Sequence, residues 1–222
     1  MTLNRASRKE ADARLGALRK QVSLQVFTLR FEDAACRETR TAAEELAETT
    51  SRLSVEINES SESGDLLRKY RVDAAPALVV SAKDSPDLRV YGTPTGYALT
   101  ALLDALVSVS APFDPKSELL STISLTVEDK PRPSVHLNLI TSRRDHACVA
   151  AAAALWRVAV ADHIAGGSLR LIPSLRIIED FPFWTTSAPS SVPPGGTPFL
   201  LIEGKEALVW PFVDSDIISR LL

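Results

Sequence analysis

Cysteine is scarce in this chain. Cys36 and Cys148 are the only two among 222 residues. So few sulfurs cannot build the disulfide framework that stabilises small secreted domains, and they suit a reducing cytoplasm. A bridge between the two is not expected either, because each would begin a helix in a different domain and a disulfide needs Cα atoms within about 7 Å. We therefore expect a cytoplasmic protein with two reduced thiols.

Long apolar runs and an excess of basic charge are lacking as well. No stretch of the sequence approaches the ~18 apolar residues that a membrane span needs, and residues 1–20 are too polar for a signal peptide. The formal net charge is −3, which gives no basic footprint for nucleic acid. The sequence therefore predicts a soluble protein that binds neither nucleic acid nor a membrane.

The two cysteines occupy the same four-residue frame in the two halves of the chain. Residues 33–36 are Asp-Ala-Ala-Cys, and residues 145–148 are Asp-His-Ala-Cys. Each frame follows an apolar segment and begins a helix-prone run. Each is followed, 40 or 50 residues later, by an X-Pro pair ahead of a strongly apolar stretch, at Ala75-Pro76 and Thr197-Pro198. This layout resembles that of two thioredoxin-like domains in tandem. The resemblance implies an α/β fold in which each domain has a central mixed β-sheet flanked by helices.

The periodicity of apolar residues places the elements of both halves. In the first half we predict a helix, then strands and helices in the order βαβαββα, over residues 4–20, 22–29, 41–49, 53–57, 64–70, 77–81, 88–91 and 99–109. In the second we predict a strand, a helix, a strand, a loop, a hairpin and a closing helix, over residues 135–141, 147–161, 169–178, 187–197, 199–212 and 214–222. Pro112 and Pro115 interrupt both periodicities, so we place the domains at 1–111 and 112–222.

Two longer segments carry a family resemblance. Residues 53–80 (LSVEINESSESGDLLRKYRVDAAPALVV) and 90–110 (VYGTPTGYALTALLDALVSVS) resemble the tandem glutaredoxin-like protein disulfide oxidoreductases. They are similar too to the N-terminal module of the flavoprotein subunit of alkyl hydroperoxide reductase. The turn at residues 91–97 is the most specific local match. The resemblance implies reversible dithiol-disulfide exchange on protein substrates.

The chain departs from that family at the attacking sulfur. The resemblance puts Cys36 and Cys148 on the second cysteine of each Cys-x-x-Cys motif, and Asp33 and Asp145 on the first. Exchange begins with a thiolate at the first position, where the helix N-terminus lowers its pKa. If any activity remains, Cys36 and Cys148 are the catalytic candidates. We expect each aspartate instead to accept a hydrogen bond from the amide of its cysteine, a helix cap worth about 0.5–2 kcal/mol.

Metal binding is not expected at these frames. Asp145, His146 and Cys148 all have side chains that ligate metals, but their spacing at a helix start is unlike that of zinc sites. His136 and His163 are isolated from them in the sequence and fit structural roles. We predict no metal and no cofactor.

The two X-Pro pairs are candidates for peptide binding. The resemblance places a cis-proline at Pro76 and Pro198, facing the active-site helix, where the backbone of Ala75 or Thr197 would pair with an extended peptide. The alternative is that these prolines serve only turn geometry.

Three functions stay open from the sequence. The first is a non-catalytic scaffold or binding module for a protein or peptide partner. The second is a thiol-disulfide oxidoreductase or thiol redox sensor that uses single cysteines. The third is a homodimer or assembly subunit that contacts its partner through the loop 181–194, whose aromatic residues are Phe181, Phe183 and Trp184.

Overall fold

The computed structural model describes most of the chain. The residues it describes are 3–31, 33–111, 118–125, 133–167, 169–182, 198–202 and 207–221. The loop predicted at 187–197, Phe183, Trp184 and the hairpin turn at 203–206 lie outside them.

Eight strands form one continuous sheet. Their bounds are β1 Val22–Thr28, β2 Leu53–Glu59, β3 Ala77–Ala82, β4 Leu88–Tyr91, β5 Val135–Thr141, β6 Leu171–Ile177, β7 Phe199–Ile202 and β8 Leu208–Val209. The order across the sheet is β2-β1-β3-β4-β6-β5-β7-β8, so each half contributes four neighbouring strands. The pairs β1–β2, β4–β6 and β5–β6 are parallel, and the pairs that involve β3 or β7 are antiparallel. It follows that β1, β4, β5 and β6 all end at the same edge of the sheet, which we call the carboxyl edge.

Seven helices are present among the described residues. They are α1 Arg5–Leu15, α2 Ala34–Ala47, α3 Gly64–Tyr70, α4 Tyr97–Ser110, α5 Glu118–Leu125, α6 Ala147–Ile164 and α7 Asp214–Leu221. The leading helix ends at Leu15 rather than at residue 20, because Gly16 is its C-cap. The second helix begins at Ala34, directly after its predicted cap Asp33 and seven residues before the range 41–49 that apolar periodicity indicated.

Most of the core lies on one face of the sheet. Apolar residues of α1, α2, α4 and α6 pack there against the strands in one contiguous cluster. Trp156 of α6 is fully buried, and its Nε1 donates a 3.2 Å hydrogen bond to the carbonyl of Ala101 in α4, which ties the helices of the two halves together. A smaller cluster on the opposite face packs Phe27, Val79 and Tyr91 under α3.

The seam between the halves is the parallel pairing of β4 with β6, which aligns Arg89 with Ser174 and Tyr91 with Arg176. The guanidinium carbon of Arg176 lies 4.1 Å from the centroid of the Tyr91 ring, and its Nη2 lies 2.8 Å from a carboxylate oxygen of Asp73. Residues 112–117, which hold the predicted domain boundary, lie outside the described residues. The division at 111/112 therefore stays a prediction.

Helix α6 corrects one expectation. Residues Ala147–Ile164 form a helix that is long and apolar enough to cross a membrane by length and composition, although no such run was expected. In the structure 61% of this window is buried, against α4, α5, α7, β5 and β6. The core helix of a globular domain passes the same test, so α6 is weak support for a membrane span. Burial in the core is enough to explain why this helix is so apolar.

Candidate functional site

The first aspartate-cysteine frame caps helix α2. Asp33 has extended backbone angles, and its carboxylate accepts a 2.8 Å hydrogen bond from the amide of Cys36. This confirms the bond predicted from the sequence. Cys36 lies in the first turn of α2 and is 0% exposed. The start of α2 thus carries the carboxylate of Asp33, and the sulfur of Cys36 is enclosed.

The second frame is built differently. The carboxylate of Asp145 accepts from the amide of Ala147 at 2.9 Å, and the amide of Cys148 bonds instead to the Asp145 backbone carbonyl at 3.1 Å. The predicted bond from the Cys148 amide to the Asp145 side chain is therefore wrong. The physical reason is a shift of one residue, because His146 is the N-cap of α6 and Asp145 lies one position further from the helix.

Burial makes the second thiol a weak acid. Cys148 is 0% exposed, and burial raises its pKa to about 11. The charges of Asp145 and Glu179 act in the same direction, while the Thr141 hydroxyl opposes them. A thiol with such a pKa is thiolate in roughly one molecule in ten thousand at pH 7. Cys148 therefore lacks the ionisation that starts disulfide exchange.

The carboxyl edge of the sheet brings Pro76 and the 91–97 turn to the first frame. The Ala75–Pro76 bond is cis, and the Pro76 carbonyl accepts from the amide of Gly92 at 2.9 Å. The neighbouring Thr93 hydroxyl lies 3.5 Å from the carbonyl of Ala35 in α2. These contacts link Pro76, through Gly92 and Thr93, to the first turn of α2. Its expected role in peptide binding stays a prediction.

Ala75 presents an unpaired piece of backbone at this edge. It is partly exposed, precedes the first paired residue of β3, and has no hydrogen bond to the rest of the described chain. In the second half, Thr197 lies outside the described residues, and the carbonyl of Pro198 accepts from the amide of Trp210 at 3.1 Å. A second cis bond, Trp210–Pro211, was missed, and only its X-Pro sequence could have indicated it.

A groove beside the first frame was not predicted. It has a volume of about 580 Å³ and lies where β1 and β2 end against the start of α2. Three apolar side chains on its lining are exposed to solvent: Phe31 at 87%, Leu29 at 40% and Ile57 at 38%. The charged residues of the lining are Arg30, Arg37, Arg40 and Glu59. One sequence feature could have indicated this groove. Arg30 and Phe31 come just before the helix cap, and the alternation of apolar residues along β1 does not account for an aromatic residue there.

The 91–97 turn also holds the second half in place. Asp180 follows β6, and one of its carboxylate oxygens accepts from the amide of Thr93 at 2.6 Å and pairs with Arg143 at 2.6 Å. The amide of Tyr97 donates to the carbonyl of Arg143 at 3.0 Å. The turn that is most specific to the family resemblance is therefore a contact between the halves as well as a neighbour of the first frame.

The other candidates give no metal centre within the described part of the chain. No group of three His, Cys, Asp or Glu side chains there could hold a metal ion. His146 is largely exposed, with its Nδ1 3.9 Å from the Asp145 carboxylate. Phe181 is buried, edge-on to Tyr91 at 6.5 Å between ring centroids, so it belongs to the smaller core. The homodimer hypothesis for the loop 181–194 therefore rests on residues outside those described.

Comparison with known proteins identifies the fold. No protein-family model and no curated protein sequence matches the chain. Among solved structures, the chain is similar to the NTD_N/C domain of alkylhydroperoxide reductase AhpF from Enterococcus faecalis. The TM-score is 0.80 at 18% identity, over 99% of this chain and 100% of that one.

A second likeness points to the same architecture. The chain is similar to a protein disulfide oxidoreductase from Aeropyrum pernix, with a TM-score of 0.78 at 14% identity, over 98% of this chain and 91% of that one. These comparisons confirm the tandem thioredoxin-like fold and the resemblance drawn from the sequence. At this level of identity they show the fold, while the chemistry has to be argued from the residues.

Proposed function

We propose that this chain is a tandem thioredoxin-like protein that binds a protein segment without catalysing thiol-disulfide exchange. The observation that carries the proposal is the enclosure of both sulfurs, each 0% exposed behind an aspartate. Exchange needs a thiolate that can approach a disulfide sulfur in line, and a sulfur with no exposed surface cannot do so.

The electrostatics of the first frame support the same conclusion. The amide of Cys36, at the start of α2, already bonds to the Asp33 carboxylate. Amides at this position would otherwise stabilise a thiolate. A negative carboxylate beside the thiol also disfavours a second negative charge nearby. The aspartate therefore serves the stability of the helix and opposes the chemistry of the family.

The surface around the first frame supports binding. Phe31 exposes 87% of its surface and forms one wall of the groove with Leu29 and Ile57. Burying such side chains against a partner would stabilise a complex by roughly 25 cal/mol per Å². Three arginines line the same groove against one glutamate, which favours a partner with carboxylates. We therefore propose a partner segment that carries acidic residues beside apolar ones.

The backbone of Ala75 offers a second point of attachment. A partly exposed residue with no backbone hydrogen bond at the start of a strand can pair with an extended peptide. Groove and strand end lie on the same edge of the sheet, so one extended segment could use both. This arrangement keeps the peptide-binding geometry expected from the resemblance while the reactive sulfur is replaced.

The competing hypothesis is a redox enzyme or sensor that works through a single thiol. It requires Cys36 or Cys148 to be accessible and ionised near neutral pH. Insulin reduction in the presence of dithiothreitol separates the two. We expect the rate with this chain to equal the rate with dithiothreitol alone, and a clear acceleration would overturn the proposal of a non-catalytic protein.

Binding is tested with short synthetic peptides in which glutamate alternates with leucine or phenylalanine. Control peptides carry lysine in place of glutamate. We expect calorimetry to detect the acidic set alone, and Phe31→Ala to weaken binding about fivefold or more through lost apolar contact. The matched control is Val213→Ala, which trims a side chain 59% exposed at a distant place in the second half. Equal effects of the two variants, or no binding by the acidic set, would contradict the proposed surface.

The cytoplasmic location remains part of this proposal. Neither of the chain's two cysteines, both within the described residues, forms a disulfide. Two buried reduced thiols fit a compartment in which disulfides are not formed. Fractionation of cells that produce the tagged chain checks this location directly.

A further inference from the structure

We infer that a cleft between the two halves, at the sheet edge opposite the aspartate-cysteine frames, binds a small organic dianion. The cleft has a volume of about 360 Å³. Its walls are the end of α3 and the β3–β4 turn from the first half, and the end of α6 with the starts of β5 and β6 from the second. Clefts of this size at a junction of domains are typical of small-molecule sites.

The lining of the cleft carries more positive than negative charge. Its cations are Lys69, Arg71, Arg89 and Arg170, and its carboxylates are Asp87 and Asp162. His163 lines the cleft as well. The whole chain has a formal net charge of −3, whereas the charged residues that line this cleft are mostly cationic. An anion in the cleft would balance the excess.

The carboxylates of the cleft are committed to the protein. The oxygens of Asp162 accept from the amides of Leu169 at 2.8 Å and Leu171 at 3.2 Å, and the residue is 3% exposed. Asp87 lies beside Arg89, whose Nη2 is 4.0 Å from the carboxylate. Three cations, Lys69, Arg71 and Arg170, are exposed to solvent around the opening.

Two of these arginines share an uncommon backbone conformation, one of them as the C-cap of α3. Arg71 has φ +54° and Arg170 has φ +51°, a left-handed conformation that glycine adopts more readily. They are two of three non-glycine residues with positive φ in the described chain, and they face the same cleft from opposite halves. The stability of the fold would favour glycine at both positions. Two arginines thus stand at one cleft in positions whose backbone glycine would adopt more readily.

The donor chemistry defines the ligand class. Guanidinium groups form paired hydrogen bonds with phosphate or carboxylate oxygens. Arg71 already donates to the hydroxyl of Ser134 at 3.3 Å, which holds its side chain over the cleft. The volume suits a compact metabolite that carries a phosphate or two carboxylates. Because such a ligand would touch both halves, its binding would stabilise their junction.

The test uses the full chain and calorimetric titration with adenosine monophosphate, inorganic phosphate and succinate at low and moderate ionic strength. We expect saturable binding of at least one probe, weakened by added salt. Binding of adenosine monophosphate or inorganic phosphate would indicate a phosphate ligand, and binding of succinate would indicate a dicarboxylate. No binding by any of the three at millimolar concentration would overturn the inference.

The variants Arg71→Gly and Arg170→Gly give the test its control for folding. Glycine relieves the left-handed backbone, so each variant should keep or raise the melting temperature while it weakens binding about tenfold or more. Asp84→Gly relieves the same kind of backbone, at φ +58°, outside the cleft lining, and should leave affinity within about twofold. Arg68→Ala removes an equal charge from α3 outside the lining and should behave likewise. Equal losses in Arg71→Gly, Arg170→Gly and Arg68→Ala would assign the binding to general charge and refute the site, and so would a loss in Asp84→Gly as large as in the two cleft variants.

Discussion

Arg143 and Asp180 form an ion pair, 2.6 Å from Nη2 to the carboxylate, at the point where the second half meets the 91–97 turn of the first. The same carboxylate oxygen accepts from the amide of Thr93. A Cβ placed on Gly92 would come within 2.7 Å of this oxygen. There is therefore no space for a side chain at position 92. The hydrogen bond between Thr93 and Asp180 holds the two halves together at the carboxyl edge.

Substitution at Gly96 should weaken this junction. Gly96 has φ +58°, and a Cβ there would collide with the carbonyl oxygen of Arg143, the acceptor of the Tyr97 amide. We expect Gly96→Ala to lower the free energy of unfolding by about 2–4 kcal/mol, from backbone strain and from displacement of the second half. Urea denaturation measures this loss.

The control for that prediction is Gly166→Ala. Gly166 also has positive φ, at +91°, but a Cβ there would meet nothing within 4 Å. We expect it to cost only the backbone strain, about 1 kcal/mol. Equal costs for the two variants would show that the contact with Arg143 does not matter.

The cap of α2 should contribute measurably to stability. Asp33→Ala removes the acceptor of the Cys36 amide and leaves a helix start without its partner. The expected loss is about 0.5–2 kcal/mol in the free energy of unfolding, while Asp33→Ser should retain most of it because serine is also a good N-cap. A serine variant as unstable as the alanine variant would mean that the carboxylate acts by something other than capping.

Both thiols should resist labelling in the folded protein. With each sulfur 0% exposed, we expect a thiol reagent at neutral pH to react at the rate of unfolding, and with both cysteines at once after denaturation. Fast labelling of either cysteine in native buffer would restore the hypothesis of a redox sensor.

The raised pKa of Cys148 predicts a loss of stability in alkali. The pKa of this thiol is about 11 in the folded protein, against an ordinary value of 9.0, so above pH 9 the unfolded state releases a proton that the folded state keeps. The stability of the fold should therefore fall as pH rises from about 9 to 11, with a slope that Cys148→Ala removes. Urea midpoints across this pH range, for both proteins, measure the difference.

Restoring the first sulfur should distinguish the two frames. Asp33→Cys places a thiol at the N-cap of α2, three residues before Cys36, whereas Asp145→Cys places one a residue outside the N-cap of α6. We expect insulin reduction to appear in the Asp33→Cys variant and to be about tenfold weaker in the other, because helix-terminal stabilisation of a thiolate falls off within the first turn. The double variant Asp33→Cys/Cys36→Ala serves as the control that lacks the resolving thiol.

Much of the fold could be predicted from local pattern. Strand β5 and helix α3 begin and end where the sequence placed them, and Asp33 makes the predicted cap. Each of these features depends on residues within one turn or one strand of each other.

The wrong prediction at Asp145 concerned a hydrogen bond that depends on more than its nearest neighbours. This bond depends on where α6 begins after the preceding turn, in which the Asp145 amide bonds to the Ser142 carbonyl, and a one-residue shift there is invisible to a motif.

The sequence by itself determined the α/β class, through the periodicity of its strands and helices, and the first helix cap, through residues that are neighbours in the chain. Only the tertiary structure decided that β4 and β6 join the halves into one sheet, that both sulfurs are enclosed, and that a groove and a cationic cleft lie at opposite edges. The physical reason is range. Caps and periodicities depend on near neighbours, whereas burial and clefts depend on packing between residues such as Trp156 and Ala101, which are far apart in the chain.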